Sequence, residues 1–172
     1  MSVASPWRCV SRVDLIDLDD LVAQGIRYIL IDRDNTCVPY GAACAPDEIM
    51  AWTQKARDMG IGLCIVSNNF HGTKVEASAR ELGMNVVHHA MKPAPFALFR
   101  ALKVLGGTKE TSVLVGDQIF TDVLAGRLAG IRTILVRPQS ERELWYTRFF
   151  RIAERAILKG RVYEGEAAGE AH

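Results

Sequence analysis

The chain is short of several things at once. It has no excess of charge of either sign: 21 lysines and arginines face 20 aspartates and glutamates, a formal net charge of +1 over 172 residues. That balance argues against a nucleic-acid binder built on a strongly basic surface. It has only four cysteines, Cys9, Cys37, Cys44 and Cys64, with no Cys-x-x-Cys pair and no histidine at zinc-finger spacing beside them. A disulfide framework is therefore not expected, and a reducing, cytoplasmic setting is. No stretch approaches the ~18 consecutive apolar residues of a membrane span. Met1–Val10 lacks the apolar centre of a signal peptide. The expectation is a protein at most peripheral to the inner face of a membrane. Low-complexity segments and internal repeats are missing too. With 49% hydrophobic and 24% charged residues, disorder is excluded. The length predicts one domain over 1–164, followed by a small, polar, unstructured tail at 165–172.

What is present is an alternation of short apolar runs with longer segments of helical period. Strands are predicted at 28–32 (Tyr-Ile-Leu-Ile-Asp), 61–66, 85–88, 112–116 and 132–136. Helices are predicted at 47–58, with Ile49, Trp52, Thr53 and Ala56 on one face, and at 72–82, 94–105 and 119–129. Gly60, Gly83, Gly106 and Gly130 follow them as stop signals. Residues 13–24 are acidic and amphipathic. The strand runs do not alternate polar with apolar, as expected where both faces are covered. The fold class is therefore α/β: a doubly wound parallel sheet with helices on both faces. In such sheets ligands bind beyond the carboxyl ends of the strands, so the residues there carry the functional argument.

The first strand ends in Asp32-Arg33-Asp34-Asn35-Thr36. Two carboxylates at the end of a buried strand repel one another unless a cation neutralises them. One could ligate a divalent metal and attack an electrophile while the other moves protons. A polar turn capped by Asp34 or Asn35 is the other reading. The second strand ends in Ser67-Asn68-Asn69, suited either to hold a phosphate oxygen or to cap a helix near Gly72. The third leads to Met91-Lys92-Pro93, where Lys92 is either a fixed cation over an anion or a surface lysine. The fourth ends in Gly116-Asp117, with Asp122 five residues on. That pair can hold a hard cation or serve as a helix cap and dipole partner.

Taken together, the four strand ends resemble the motifs of the haloacid dehalogenase (HAD) superfamily of phosphohydrolases, over about residues 27–137. Asp32, Asp34 and Thr36 stand in its Asp-x-Asp-x-Thr motif, Ser67 in the second, Lys92 in the third, and Asp117 and Asp122 in Gly-Asp-x-x-x-Thr-Asp. The intervals Asp32–Ser67 (35 residues) and Ser67–Lys92 (25 residues) leave no room for a cap domain, which is similar to the capless subfamily IIIA. Within it, Asp-x-Asp-Asn-Thr, the short Lys-Pro motif and a basic C-terminal helix resemble the phosphatases of phosphatidylglycerophosphate. Arg33, where an apolar residue is more frequent, is similar to the mitochondrial-type members. The resemblance implies a magnesium-dependent phosphomonoester hydrolase with Asp32 as nucleophile, Asp34 as general acid and base, and Ser67 and Lys92 on the phosphoryl group. Magnesium would be held by Asp32, the Asp34 backbone carbonyl and Asp117. Thr36, Asn68 and Asp122 would support these groups.

Three rival readings remain at this point. One is a soluble sugar-phosphate or nucleotide phosphatase of the same fold; relatives of that kind carry a Cys/His zinc loop, but Cys37 and Cys44 have no accompanying histidine. A second is a receiver-like signalling module, against which Asp34 argues. The third is a catalytically silent scaffold. Residues 141–161 carry six cations against Glu141, Glu143 and Glu154, with Trp145 and Phe149 on the same segment. They predict either a helix packed on the core or a contact with anionic lipid through Arg148, Arg151 and Arg155. Nothing in the sequence speaks to oligomeric state.

Overall fold

The computed structural model describes residues 5–140, 153–154, 157–158 and 161–166. The basic segment named above, with Arg148, Arg151 and Arg155, lies almost wholly outside the described residues.

Six parallel strands form one sheet: β1 Arg8–Val10, β2 Tyr28–Ile31, β3 Gly62–Val66, β4 Asn85–Val87, β5 Ser112–Gly116 and β6 Arg132–Val136, in the order β1-β6-β5-β2-β3-β4. Five helices connect them: α1 Leu18–Ala23, α2 Asp47–Asp58, α3 Gly72–Glu81, α4 Phe96–Leu105 and α5 Leu124–Ala129. The expected α/β class is thus observed. Strand side chains alternate faces, and that alternation divides the core in two. Ile29, Ile31, Leu63, Ile65, Val113 and Val115 join residues of α1, α2 and α3. Leu30, Cys64, Val66 and Leu114 join α4 and α5. Each strand therefore needs apolar residues at every position, which is why the runs read as continuous.

From β2 the chain lays down β3 and β4 outward in one direction, then returns to place β5 and β6 on the other side of β2, where β6 pairs with the N-terminal β1. The reversal falls between β2 and β5, whose ends are in register: Ile31 pairs with Val115, and the Asp32 amide donates to the Val115 carbonyl at 2.9 Å. This is the crevice where such sheets bind ligands.

Several expectations change in detail. β1 was not anticipated: Arg8-Cys9-Val10 offers no continuous apolar run, and it pairs along the edge of β6. It is completed by Glu164, whose amide donates to the Cys9 carbonyl at 2.9 Å and whose carboxylate receives Arg8. Of the tail expected from Gly165, Gly165 and Glu166 are described, with Glu166 paired to Arg137; residues 167–172 lie outside the described residues. Helix α4 starts at Phe96 rather than 94, since Pro93 and Pro95 shape a turn before it. The segment expected as a helix from 119 opens as a π-helical turn, Ile119–Val123, before α5.

Leu98 is fully buried against β3 and β4, whereas Leu128 on α5 is exposed. Leu98→Ala is expected to cost about 2–5 kcal/mol in urea unfolding, and Leu128→Ala no more than about 0.5 kcal/mol.

Candidate active site

Four strand ends converge at the crevice. After β2, the backbone amides of Thr36, Cys37 and Val38 all donate to the Arg33 carbonyl, folding residues 33–38 into a tight loop. Asn35 enters the left-handed region there (φ 59°), and its side-chain oxygen accepts from the Tyr40 amide at 2.9 Å and the Ser140 hydroxyl at 2.7 Å. The loop leaves Asp32 buried beneath it and Asp34 at its rim.

Asp32, Asp117 and Asp122 are all buried, and each offers a carboxylate oxygen within 4.8 Å of the others. Lys92 enters this cluster from the β4–α4 connection. Its Nζ donates to Asp32 Oδ1 and to Asp122 Oδ1, both at 2.6 Å. Burial above all pushes the Asp32 carboxyl up from its ordinary value; Lys92 pulls it down, and Asp122 and Asp117 push it up again. Burial pulls the Lys92 ammonium down, but Asp122 and Asp32 outweigh it and the group remains protonated. With all three carboxylates ionised, one ammonium would leave an excess of negative charge in a buried site, and burial holds the Asp32 carboxyl up instead. A divalent cation fits that donor set, which consists entirely of hard oxygen ligands.

The remaining predicted residues tie these groups in place. The Thr36 hydroxyl donates to Asp117 Oδ1 at 3.0 Å, linking the β2 loop to the end of β5. Asn68 brackets the Lys92 backbone, accepting from its amide at 2.7 Å and donating to its carbonyl at 3.1 Å. Ser67 is buried, and its hydroxyl accepts from the Asn69 amide at 3.1 Å. Asp34 is brought beside the cluster but not into it. Its carboxylate takes the Arg33 guanidinium on one oxygen and the Asn69 amide nitrogen on the other at 3.0 Å. The structure thus joins Asp32, Asp117, Asp122, Lys92 and Thr36 directly, with Asn68 on the Lys92 backbone, while Asp34 and Ser67 meet through Asn69. Asp122 is itself part of the acidic cluster, besides accepting from the Gln118 amide at 3.1 Å. The Cys37 thiol is buried and donates to the Asp32 carbonyl, while Cys44 is exposed on the surface.

Comparison with known proteins places this geometry. The chain is 33% identical over 165 residues to the probable phosphatase YqeG of Bacillus subtilis, covering 96% of this chain and 95% of that protein. The chain belongs to the haloacid dehalogenase superfamily of phosphatases. A HAD-hydrolase-like family model matches residues 89–154, which include Lys92, Asp117 and Asp122. The chain is also 28% identical to the chloroplastic/mitochondrial phosphatidylglycerophosphate phosphatase 1 of Arabidopsis thaliana, over 93% of this chain and 49% of that protein. To the mitochondrial phosphatidylglycerophosphatase of Saccharomyces cerevisiae it is 29% identical, over 70% of this chain and 72% of that one. Among solved structures, the cobalt-bound deoxy-D-mannose-octulosonate 8-phosphate phosphatase of Haemophilus influenzae aligns with a TM-score of 0.53 at 15% identity, over 78% of this chain and 85% of that one. That likeness shows the shared fold.

Three contributions to the phosphatase site were not foreseen. Gly116 is required because the Asp122 carboxylate packs directly on its Cα, where any Cβ would collide with it. Arg33 is buried, held by the Ser78 hydroxyl at 2.9 Å, and fixes Asp34. Glu154 comes from 35 residues beyond Ile119, is buried, and accepts from the Ile119 amide at 2.7 Å and the Phe120 amide at 3.3 Å. It caps the turn that joins Asp117 to Asp122. Only the Gly116-Asp117 dipeptide carries a local signal; the other two depend on contacts remote in sequence.

Glu154→Ala leaves those two buried amides without this acceptor and is expected to lower stability by about 1–3 kcal/mol in urea unfolding. Glu154→Gln retains an acceptor oxygen and should recover at least half of the loss.

Proposed function

We propose that this phosphatase hydrolyses phosphomonoesters through a covalent intermediate on Asp32, with magnesium bound at the acidic cluster, and that its substrate is phosphatidylglycerophosphate or a similar lipid-headgroup phosphate. The observation that carries the catalytic reading is the pairing of two differently held carboxylates two residues apart. Asp32 is buried against Lys92, and Asp34 stands at the rim, oriented by Arg33 and Asn69. Support for the lipid substrate comes from the two relatives named for phosphatidylglycerophosphate hydrolysis.

In the first half-reaction an Asp32 carboxylate oxygen attacks phosphorus, the bond to the ester oxygen breaks, and Asp34 gives that oxygen its proton. In the second, Asp34 takes a proton from a water molecule whose oxygen attacks the phosphorus, releasing phosphate and restoring Asp32. Ser67 and Lys92 hold the equatorial phosphoryl oxygens as charge develops on them. Asn68 fixes the backbone that carries Lys92, so the ammonium does not have to reorganise during transfer. Thr36 and Asp122 keep Asp117 and Lys92 in position. Asp32, the Asp34 backbone carbonyl and Asp117 are the groups that would hold magnesium, which when bound neutralises charge on the transferring phosphoryl group.

Release of phosphate from phosphatidylglycerophosphate in mixed micelles, beside a panel of sugar phosphates and nucleotides, tests the substrate. A preference for the soluble esters would reassign it. Asp32→Asn should lose activity by at least about 10³-fold, because the amide cannot form the acyl phosphate; wild-type turnover by this variant would remove the nucleophile assignment. The metal assignment has a test apart from turnover. Magnesium should raise the melting temperature of the wild type by stabilising the folded state. Asp117→Asn should lose that response, and excess chelator should abolish wild-type activity.

A further inference from the structure

The site's mouth carries an unusual concentration of exposed apolar side chains. Phe70, three residues past Ser67, is 74% exposed; Met91, immediately before Lys92, is 66% exposed; and Phe96, the first residue of α4, is 69% exposed. Phe70 and Met91 lie on the connections that carry Ser67 and Lys92, and Phe96 begins the helix that follows Lys92. Asn68 binds the Lys92 backbone, joining the β3–α3 and β4–α4 connections, and the Phe70 ring lies 5.3 Å from that of His89. Met91 is exposed despite a left-handed backbone (φ 53°), a conformation that disfavours long side chains. Neither local backbone preference nor core packing accounts for its presence there.

The patch continues along α4. Phe96, Phe99, Arg100, Lys103 and Val104 recur at the helical period, and all are exposed. Helix α4 contains two cations and no acidic residue, and neither cation has an ion-pair partner among the described residues. Exposed aromatics interleaved with unopposed cations match the boundary between headgroups and acyl chains of an anionic bilayer. A second copy of the chain is a poorer match. In a two-fold contact the patch would meet itself, bringing Arg100 and Lys103 against their own counterparts. The C-terminal residues that the structure describes are engaged elsewhere: Leu158 and Tyr163 pack with Cys9, Ile119 and Leu135, towards the β1–β6 edge of the sheet.

We infer that the face formed by Phe70, Met91 and the Phe96–Val104 strip of α4 seats the protein on anionic lipid, with the site opening towards the headgroups. This rests on the phosphatase reading with a lipid-linked substrate and names the surface that delivers it.

Flotation with phosphatidylglycerol–phosphatidylcholine vesicles, compared with phosphatidylcholine alone, tests the inference. Wild-type protein should float with the anionic vesicles only, and less so in high salt. Phe96→Ser with Phe99→Ser, and separately Arg100→Glu with Lys103→Glu, should each weaken binding about tenfold or more while leaving turnover of p-nitrophenyl phosphate unchanged. Absence of binding by the wild type, equal binding to neutral vesicles, or undiminished binding by both double variants would overturn it. So would a sedimentation-velocity dimer that either double variant dissolves, which would assign the face to a second copy. Hydrolysis of phosphatidylglycerophosphate in detergent micelles separates the two readings. Micellar turnover without vesicle binding defeats this inference and leaves the substrate assignment intact. Vesicle binding without micellar turnover does the reverse.

Discussion

The ammonium of Lys92, buried between Asp32 and Asp122 at 2.6 Å from each, is the contact on which the rest of the site depends. Three carboxylates within 4.8 Å of one another would repel strongly in a dry environment, and one fixed cation makes their company tolerable without making it neutral. The imbalance is useful. Three carboxylate donors against one ammonium make a set that could hold a divalent cation. The same constraint explains Gly116, which must lack a side chain so that Asp122 can lie on the backbone and reach Lys92.

A cluster of this kind needs rigid support, because each carboxylate gains energy by moving away from the others. The support comes from hydrogen bonds that cross between strand ends. Thr36 joins β2 to β5 through Asp117, Asn68 joins β3 to β4 through the Lys92 backbone, and Asn69 joins β3 back to the β2 loop through Asp34. Glu154 closes the remaining side by capping the turn after β5. The interior of the site is thus defined by paired polar groups. Its mouth is bordered by unpaired apolar ones, Phe70, Met91 and Phe96. Polar and apolar surface thus meet at the rim of the site.

Much of this was legible in the chain. The apolar runs of β2, β3, β5 and β6, and the shorter Asn-Val-Val of β4, marked the sheet, because strands covered on both faces carry few polar residues. The catalytic candidates could be named because each lies at or within a few residues of a strand end, and a parallel sheet brings all such ends to one edge. Where the reading stopped, the reason was a weak local pattern or distance. Strand β1, Arg8-Cys9-Val10, offers no continuous apolar run, and it is held by β6 and Glu164. Phe96 and Phe99 were indistinguishable from the core residues of α4, since apolar character does not say which face of a helix meets the sheet.

The amino-acid sequence by itself determined the strand–helix alternation, the doubly wound class and the identity of the acids, hydroxyl and lysine at the strand ends. Those properties are local: a run of apolar residues, a glycine stop or a carboxylate after a strand is contained in a few consecutive positions. Only the tertiary structure decided that Lys92 bridges Asp32 and Asp122, that Arg33 turns inward to hold Asp34, that Glu154 reaches the turn after β5, and that the aromatic residues of α4 face outward. Each of those is a pairing between groups one to more than thirty residues apart, and its energy depends on distance and burial, which exist only once the sheet has brought the strand ends together.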